Sequence, residues 1–393
     1  MTDQSVLQNI RILDFSWVLA GPYATRILAD FGAEVIKVQP LLPEAEETAF
    51  SKGYYNTWNR NKLGITLNLS KPEGVAIAKR LVGISDAVVE NFTPRVMANW
   101  GLDYENLKQI KPDIIMLSMS TMGNTGPWRD YVGFGPTVQA LSGITYLTSY
   151  PGKPPVGLGF TYADHVAGLM AALALLGALE YRRRTGEGQY IDVSQVEAMA
   201  SLLGDAIVDY TLNDKPAEPV GNSSTQAAPH GVYRCRGDDR WCAIAVFTDE
   251  EWQGFKRALG NPIWAEDSRF ATLSGRLGNA DELNRMVKGW TRQHSAEEVM
   301  AWLQGQGVAA GVVQDASDLA NDPQLKERGF FVELDHSELG KTISDTTPIR
   351  LSDTPAKYNQ AAPTPGQAND YVYKKLLGMS EDEMTELGEQ GVI

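Results

Sequence analysis

The first 120 residues alternate between short apolar runs and stretches whose apolar positions recur every three or four residues. "RILDFS" reads as a buried strand, and "GPYATRILADF" as a helix with Pro22 near its first turn, where a missing N–H costs little. Gly32 is placed to end that helix. "AEVIKV" predicts the next strand, "LGITLNL" another, and "KPEGVAIAKRLVGI" a helix. "DAVVENF" predicts a strand, "PRVMANWGLDYENLKQI" one helical stretch, and "DIIMLSMS" a further strand. Strands alternating with helices imply a parallel, Rossmann-like layered sheet. No GxGxxG follows the first strand and no P-loop is present, so a dinucleotide or nucleotide reading lacks its fingerprint.

The middle of the chain changes texture. Residues 123–159 are rich in Gly, Pro and Tyr and read as surface loops. Then comes a long apolar helix predicted after Asp164, with a 14-residue run from Val166 to Leu179 and Arg182, Arg183 and Arg184 at its negative end. That run is too short to span a bilayer and predicts a buried helix, with no membrane association. "QYIDVS" predicts a strand, residues 206–230 a linker, and "GVYRCRGDDRWCAIAVF" a hairpin turning at "GDD". Thr248 with Glu251, Ser295 with Glu298 and Ser380 with Glu383 stand at capping-box spacing. The expected organisation is a large domain from residues 1–205, a small α+β domain from 231–329, and a return segment, 330–393, completing the large domain.

Composition narrows the function classes. At 393 residues, with 43% hydrophobic and 21% charged side chains, the chain suits a two-domain globular protein. A net charge of −14 argues against a nucleic-acid partner but leaves room for an anionic small molecule held by local cations and backbone N–H groups. Two cysteines cannot build a disulfide framework or a four-ligand zinc site, and the four histidines lack metal-site pairing. The expectation is a cytoplasmic protein with no metal. The opening 15 residues show no basic segment leading into an apolar one, so no signal peptide is expected.

Candidate chemistry centres on "TYADHVAGLM". A carboxylate in the first turn of a helix lies beside unpaired N–H groups, which favours its ionised form. Asp164 is therefore either an N-terminal cap or a nucleophile toward an activated acyl group.

Several motifs, in order, resemble the class III coenzyme A transferases, the family of formyl-CoA transferase, carnitine CoA-transferase and the 2-methylacyl-CoA racemases. They are "RILDFSWVLAGPYATRILADFGAEVIKVQ", "NRNKLGITLNLSKPEG", "DAVVENFTPRVMANWGL", "VQALSGI", the stretch around Asp164, and "RRRTGEGQYIDVSQVEAM". The resemblance implies that Asp164 is acylated by an acyl-CoA, that the CoA thioester is a substrate rather than a bound cofactor, and that a carboxylic acid accepts the CoA. It also implies an interlocked dimer of open rings, with an identical or a paralogous partner. Val18, Leu19 and Ala20 correspond to the family's loop near the thioester. Lys62, Leu67, Lys71, Asn91, Phe92 and Arg95 correspond to its CoA-contacting loops, and His230 to the acceptor side.

Three departures matter. Leu19 replaces the glutamine of formyl-CoA transferase, which favours a more apolar acyl group. That enzyme's glycine lid has no counterpart, and Gln39-Pro40 replaces a common Glu-Pro. The racemase histidine falls at Phe134, and His165 is displaced about 100° from Asp164 around the helix, so racemization is a lesser alternative. Another is a non-catalytic CoA-binding subunit. The texture of residues 229–252 suggests substituted dicarboxylic acids such as benzylsuccinate, with succinyl-CoA as donor.

Overall fold

The computed structural model describes residues 5–41 and 49–393. Two compact units emerge: Met1–Thr145 with Gly157–Pro216 and Lys326–Ile393, and Tyr146–Val156 with Ala217–Leu325.

The larger unit is built on six parallel strands: β1 (Arg11–Asp14), β2 (Glu34–Gln39), β3 (Lys62–Thr66), β4 (Ala87–Glu90), β5 (Ile115–Ser118) and β6 (Tyr190–Asp192). Their order, β3-β2-β1-β4-β5-β6, reverses direction between β1 and β4. In open α/β sheets ligands bind outside the carboxyl ends of the strands at such a switch point. Successive strand residues point to opposite faces. Leu13, Ile36, Val88 and Met116 enter one core, with Val372, Tyr373 and Val392 from the C-terminal segment. Ile12, Val35, Ala87 and Leu117 enter the other, against helix α1 (Ala20–Asp30) and the helix Tyr162–Thr185. Burial on both faces explains why the strands read as continuous apolar runs. Each fully buried Ile or Leu contributes about 1.5–3 kcal/mol.

The return segment is bonded directly to the sheet. Tyr373 Oη donates to the Thr66 carbonyl at 2.6 Å, and the Asn68 N–H donates to the Val392 carbonyl at 2.8 Å. An antiparallel hairpin, Phe331–His336 with Gly340–Asp345, presents Asp345 to Arg26 (2.9 Å) and Arg60 (3.3 Å). Arg60 is itself buried against Asp30 at 2.6 Å.

Several local expectations need correction. The helical stretch after Pro94 breaks into Arg95–Asn99 and Tyr104–Ile110, because Gly101 takes φ +62° and Asp103 caps the second helix. The loop region contains a helix, Gly135–Leu141, whose start is held by the Phe134 N–H donating to Thr137 Oγ1 at 2.8 Å. Residues assigned to the start of a linker form the helix Gly204–Asn213. A helix at Ala49–Asn59 precedes β3 and had no clear periodic signal. Strand β3 ends at Thr66, which frees Leu67 to Leu69 from the sheet.

The smaller unit holds a three-stranded antiparallel sheet, His230–Arg234, Trp241–Ala245 and Ala309–Val312, packed by Trp252, Phe255, Phe270 and Leu303. Its hairpin turns through Gly237 and Asp239, both at positive φ. Capping boxes form at Thr248/Glu251 and Ser295/Glu298. At Ser380 only half forms: its side chain accepts from the Glu383 N–H, while the Glu383 carboxylate reaches Arg80 at 3.2 Å.

Candidate active site

The long helix begins at Tyr162, ahead of Asp164, which is its third residue and lies in its first turn. The face carrying Ala163, Asp164, Ala167, Ala171 and Leu175 is buried. Close approach to α1 depends on Gly168, where a Cβ would lie 2.8 Å from the Ala20 carbonyl oxygen. Asp164 is thereby held by the core, with 8% of its surface exposed. Burial raises its carboxyl to about 6, a shift that His165 and the residue's own N–H oppose only in part. Desolvation outweighs the N–H groups of the first turn, yet at about 6 the carboxylate remains the prevailing form at neutral pH, as the sequence suggests. A Cβ on Gly135 would stand 2.5 Å from Asp164 Oδ2, so the glycine makes room for the carboxylate.

Asp164 borders a cavity of about 170 Å³, together with Trp17, Val18, Asn91, Phe92, Ser120, Arg129, Phe134 and Gln195 among others. A larger cavity of about 700 Å³ lies over the carboxyl ends of β1, β2 and β3. It is lined by residues 15–18, 37–41 and 67–70, by Tyr54, Phe92 and Trp100, and by His336, Glu338 and residues 363–365. Trp17, Val18 and Phe92 line both cavities. The larger volume falls within the range of small-molecule binding sites, about 300–1,000 Å³. The shared wall is strained, since Val18 is a β-branched residue at φ +61°. Asn91 braces it, donating from Nδ2 to the Trp17 carbonyl at 2.9 Å and accepting from the Trp17 N–H at 2.8 Å. Glu90 braces the other side by accepting from the Phe92 N–H at 2.7 Å, and burial pushes this carboxyl up to about 7.

Beneath the loops lies a buried charge cluster. Lys62 Nζ reaches Asp14 Oδ2 at 3.1 Å, the Pro22 carbonyl at 3.0 Å and Asn59 Oδ1 at 2.9 Å. Lys37 reaches Asp14 Oδ1 at 3.3 Å and also donates to the Ser16 carbonyl. Burial pushes the Asp14 carboxyl up, but the two ammonium groups with Ser16 and Thr25 hold it well below the usual range. Burial likewise drives Lys62 down to about 7 against the pull of Asp14.

The candidate residues separate accordingly. Val18, Phe92, Asn91, Phe134 and Asp164 meet at the smaller cavity, and Leu67 lines the larger one. Lys62 is not a phosphate ligand; it is fully buried with its donors committed to Asp14, Pro22 and Asn59. Leu19 and Ala20 are buried and border neither cavity, which removes the basis for reading Leu19 as a selector of apolar acyl groups. Lys71 immediately precedes the helix Pro72–Gly83 and donates to the Gln390 carbonyl, while Arg95 is an exposed partner of Asp130 at 3.6 Å; neither lines either of these two cavities. His165 turns its Nδ1 to the Thr161 carbonyl at 2.8 Å and packs among Tyr23, Trp58 and Phe160. His230 belongs to the smaller unit, where Nδ1 meets the Asn222 carbonyl at 2.8 Å. Among the described residues, no group of three His, Cys, Asp or Glu side chains could hold a metal ion.

Sequence reasoning missed Trp17, Tyr54, Ser120, Arg129 and Gln195 as cavity residues. The signal for Trp17 and Ser120 was their place just beyond β1 and β5, where loops leave the carboxyl edge of the sheet.

Residues 7–369 match CoA-transferase family III. The chain is 35% identical over 394 residues to a succinyl-CoA–D-citramalate CoA-transferase of Chloroflexus aurantiacus, covering 98% of each. It is 33% identical to the β subunit of that organism's succinyl-CoA–L-malate CoA-transferase, again over 98% of each chain. Its fold matches that of a CAIB/BAIF family protein from Brucella suis with a TM-score of 0.88 and 30% identity, over 95% of this chain and all of the other.

Proposed function

Because this chain belongs to CoA-transferase family III, an enzyme family, we propose that it moves CoA from succinyl-CoA to a dicarboxylic acid through covalent intermediates on Asp164. The observation that carries this reading is the placement of the Asp164 carboxylate on a cavity whose wall (Trp17, Val18, Phe92) is shared with the larger cavity at the switch point. The larger cavity takes the coenzyme and the smaller one the acyl groups.

The chemistry needs no external proton or energy source. An Asp164 oxygen attacks the thioester carbonyl, the C–S bond breaks, and a mixed anhydride and CoA thiolate result. The thiolate attacks the aspartyl carbonyl, the C–O bond breaks, and succinate leaves behind an aspartyl-CoA thioester. The acceptor carboxylate attacks that thioester and expels the thiolate, which then takes the acceptor acyl group from the second anhydride and restores Asp164. One negative charge passes along at each step. A partly dehydrated carboxylate suits the first attack, and the apolar side chains of Trp17, Val18, Phe92 and Phe134 border the cavity where the anhydride would form. Arg129, the one Lys or Arg bordering this cavity among the described residues, is the counter-ion for the far carboxylate of a diacid. Phe134 occupies the position of the racemase histidine, which leaves that alternative without its second acid–base group.

Names of relatives include one transferase without a subunit designation and one β subunit, so the partner is a second copy or a paralogue in the interlocked arrangement of the family. An apolar stripe of Leu169, Leu173 and Leu176, exposed on the long helix, supports association. The reading carries a cytoplasmic location with it, in keeping with two cysteines that are free and buried.

Incubation with succinyl-CoA, quenching with hydroxylamine and peptide mapping test the mechanism. A hydroxamate on the Asp164 peptide is expected. Turnover with that peptide unmodified, or turnover by Asp164→Ala, would refute it. A protein that binds CoA without exchange would support the subunit alternative.

A further inference from the structure

Two buried polar side chains on the Asp164 cavity have no partner for a key atom. Ser120, 5% exposed, leaves Oγ without a hydrogen bond, and Gln195, 4% exposed, leaves Oε1 likewise. Ser120 lies two residues beyond β5, and Gln195 opens the helix Gln195–Ala200 after β6. The backbone ties them together: the Gln195 N–H donates to the Ser120 carbonyl at 3.1 Å, and the Val196 N–H to the Thr121 carbonyl at 3.0 Å. A buried polar atom left unpaired costs about 1–3 kcal/mol, so a pair of them on one cavity calls for a ligand.

The atoms restrict what that ligand group is. A serine hydroxyl has a proton to donate, whereas an amide oxygen only accepts. Among the groups that distinguish one dicarboxylic acid from another, an alcohol both accepts from the first and donates to the second. A methylene answers neither atom, and a keto oxygen answers only Ser120. The Asp164 chemistry uses neither residue, since every step exchanges acyl groups between carboxylates and sulfur.

We propose that Ser120 and Gln195 form a hydroxyl-recognition subsite, so that the enzyme selects a hydroxylated dicarboxylic acid as acceptor over the unsubstituted acid. This inference rests on the reading of Asp164 as the acyl-carrying residue. Arg129 holds the distal carboxylate, Asp164 exchanges with the proximal one, and the alcohol between them meets Ser120 and Gln195. A site built to bond a hydroxyl discriminates strongly against the analogue lacking it, because its own polar groups are then stranded.

Malate and succinate differ by one hydroxyl and serve as the probes. With succinyl-CoA as donor, transfer to D- and L-malate is followed by chromatography, and transfer to isotopically labelled succinate by mass spectrometry. The quantity read is the ratio of kcat/KM for the better malate enantiomer to that for succinate. The wild type is expected to favour malate by about tenfold or more, and Gln195→Leu and Ser120→Ala to lower that ratio by roughly ten- to hundredfold. Ser120→Ala removes a single oxygen atom and decides the matter if Gln195→Leu does not fold. A wild-type preference for succinate, or a ratio within twofold of wild type in the folded variants, overturns the subsite while leaving the transferase reading intact. Transfer to no acid at all, with Asp164 unlabelled, defeats the transferase reading and the subsite with it.

Discussion

Replacing Asp164 by asparagine removes a charge that the fold keeps in a poorly solvated place, and the size of the effect depends on pH. Burial raises this carboxyl from 3.8 to about 6. At about 1.4 kcal/mol per unit, the shift corresponds to about 3 kcal/mol. The folded state binds this proton more tightly than the unfolded state, so the stabilisation is complete below 3.8 and is lost as pH rises through about 6. Linkage places about 1.6 kcal/mol of the loss at pH 5 and about 3 kcal/mol at pH 8. Asparagine has no such term. The stability gap between Asp164→Asn and wild type therefore widens in favour of the variant by about 1.4 kcal/mol from pH 5 to pH 8. Urea unfolding followed by tryptophan fluorescence, run on both proteins at both pH values, measures that gap, and Glu90 and other titrating groups cancel because both proteins carry them. Transfer activity should vanish in the variant. In the wild type, the single-turnover release of CoA should rise with pH through an inflection near 6 as the carboxylate forms. A gap that stays constant or narrows with pH would show that Asp164 is not desolvated as its burial demands.

Other perturbations probe the surroundings of the site. Gly135→Ala puts a Cβ 2.5 Å from Asp164 Oδ2, and a displacement of the proposed nucleophile by about 1 Å should lower kcat about 100-fold in steady-state assays. Lys62→Met leaves Asp14 short of a cation in the core and should cost about 3–5 kcal/mol in urea unfolding; calorimetry should find CoA affinity little changed, whereas a large loss would restore Lys62 as a phosphate ligand. Val18→Gly relieves a β-branched residue at φ +61° and should raise stability by about 1 kcal/mol, read as a higher urea midpoint. Leu173→Asp charges a side chain that is 70% exposed and should shift the mass in light scattering toward the monomer if this stripe holds the subunits together.

Much of the larger unit was legible because its strands are buried on both faces and therefore read as unbroken apolar runs: Ile12 and Leu13, or Val88 and Val89, serve opposite cores from adjacent positions. The helix Ala49–Asn59 was not legible, since "AFSKGYYNTWN" mixes aromatic and polar residues without a repeating face. Lys62 misled for a different reason. A lysine at the start of a strand ordinarily reaches water, and its carboxylate partner lies 48 residues away, on another strand. Family correspondence located the loops around Val18, Asn91 and Phe92, yet it could not say that Asn91 spends both ends of its amide on Trp17. Ser120 and Gln195 were invisible because an orphaned polar atom is a property of the folded surroundings, not of the residue. Asp164 was proposed from its neighbours in sequence; what they could not give is its burial, 8% exposed and close against Gly135, which raises the carboxyl to about 6.

That raised value bears on the exchange proposed for Asp164. An acyl exchange through an anhydride asks one carboxylate to be both attacker and leaving group. An aspartate at 3.8 would be fully ionised at neutral pH but a weak nucleophile, and an acid far above 7 would be protonated and inert. Held at about 6 by burial, Asp164 is still mainly ionised at neutral pH and, in the proposed mechanism, more basic than the dicarboxylic acids it would exchange with, so attack on the thioester would gain from the higher basicity. The penalty falls on the return step, where a more basic carboxylate leaves less readily. The sulfur of CoA compensates, because its thiolate is a stronger nucleophile than either acid and traps the anhydride within the same cavity. Deeper burial would stall release, and solvent exposure would slow capture and admit water to the anhydride. A third residue of a helix, pressed against a glycine at one side and open to the cavity at the other, satisfies both demands with a single side chain.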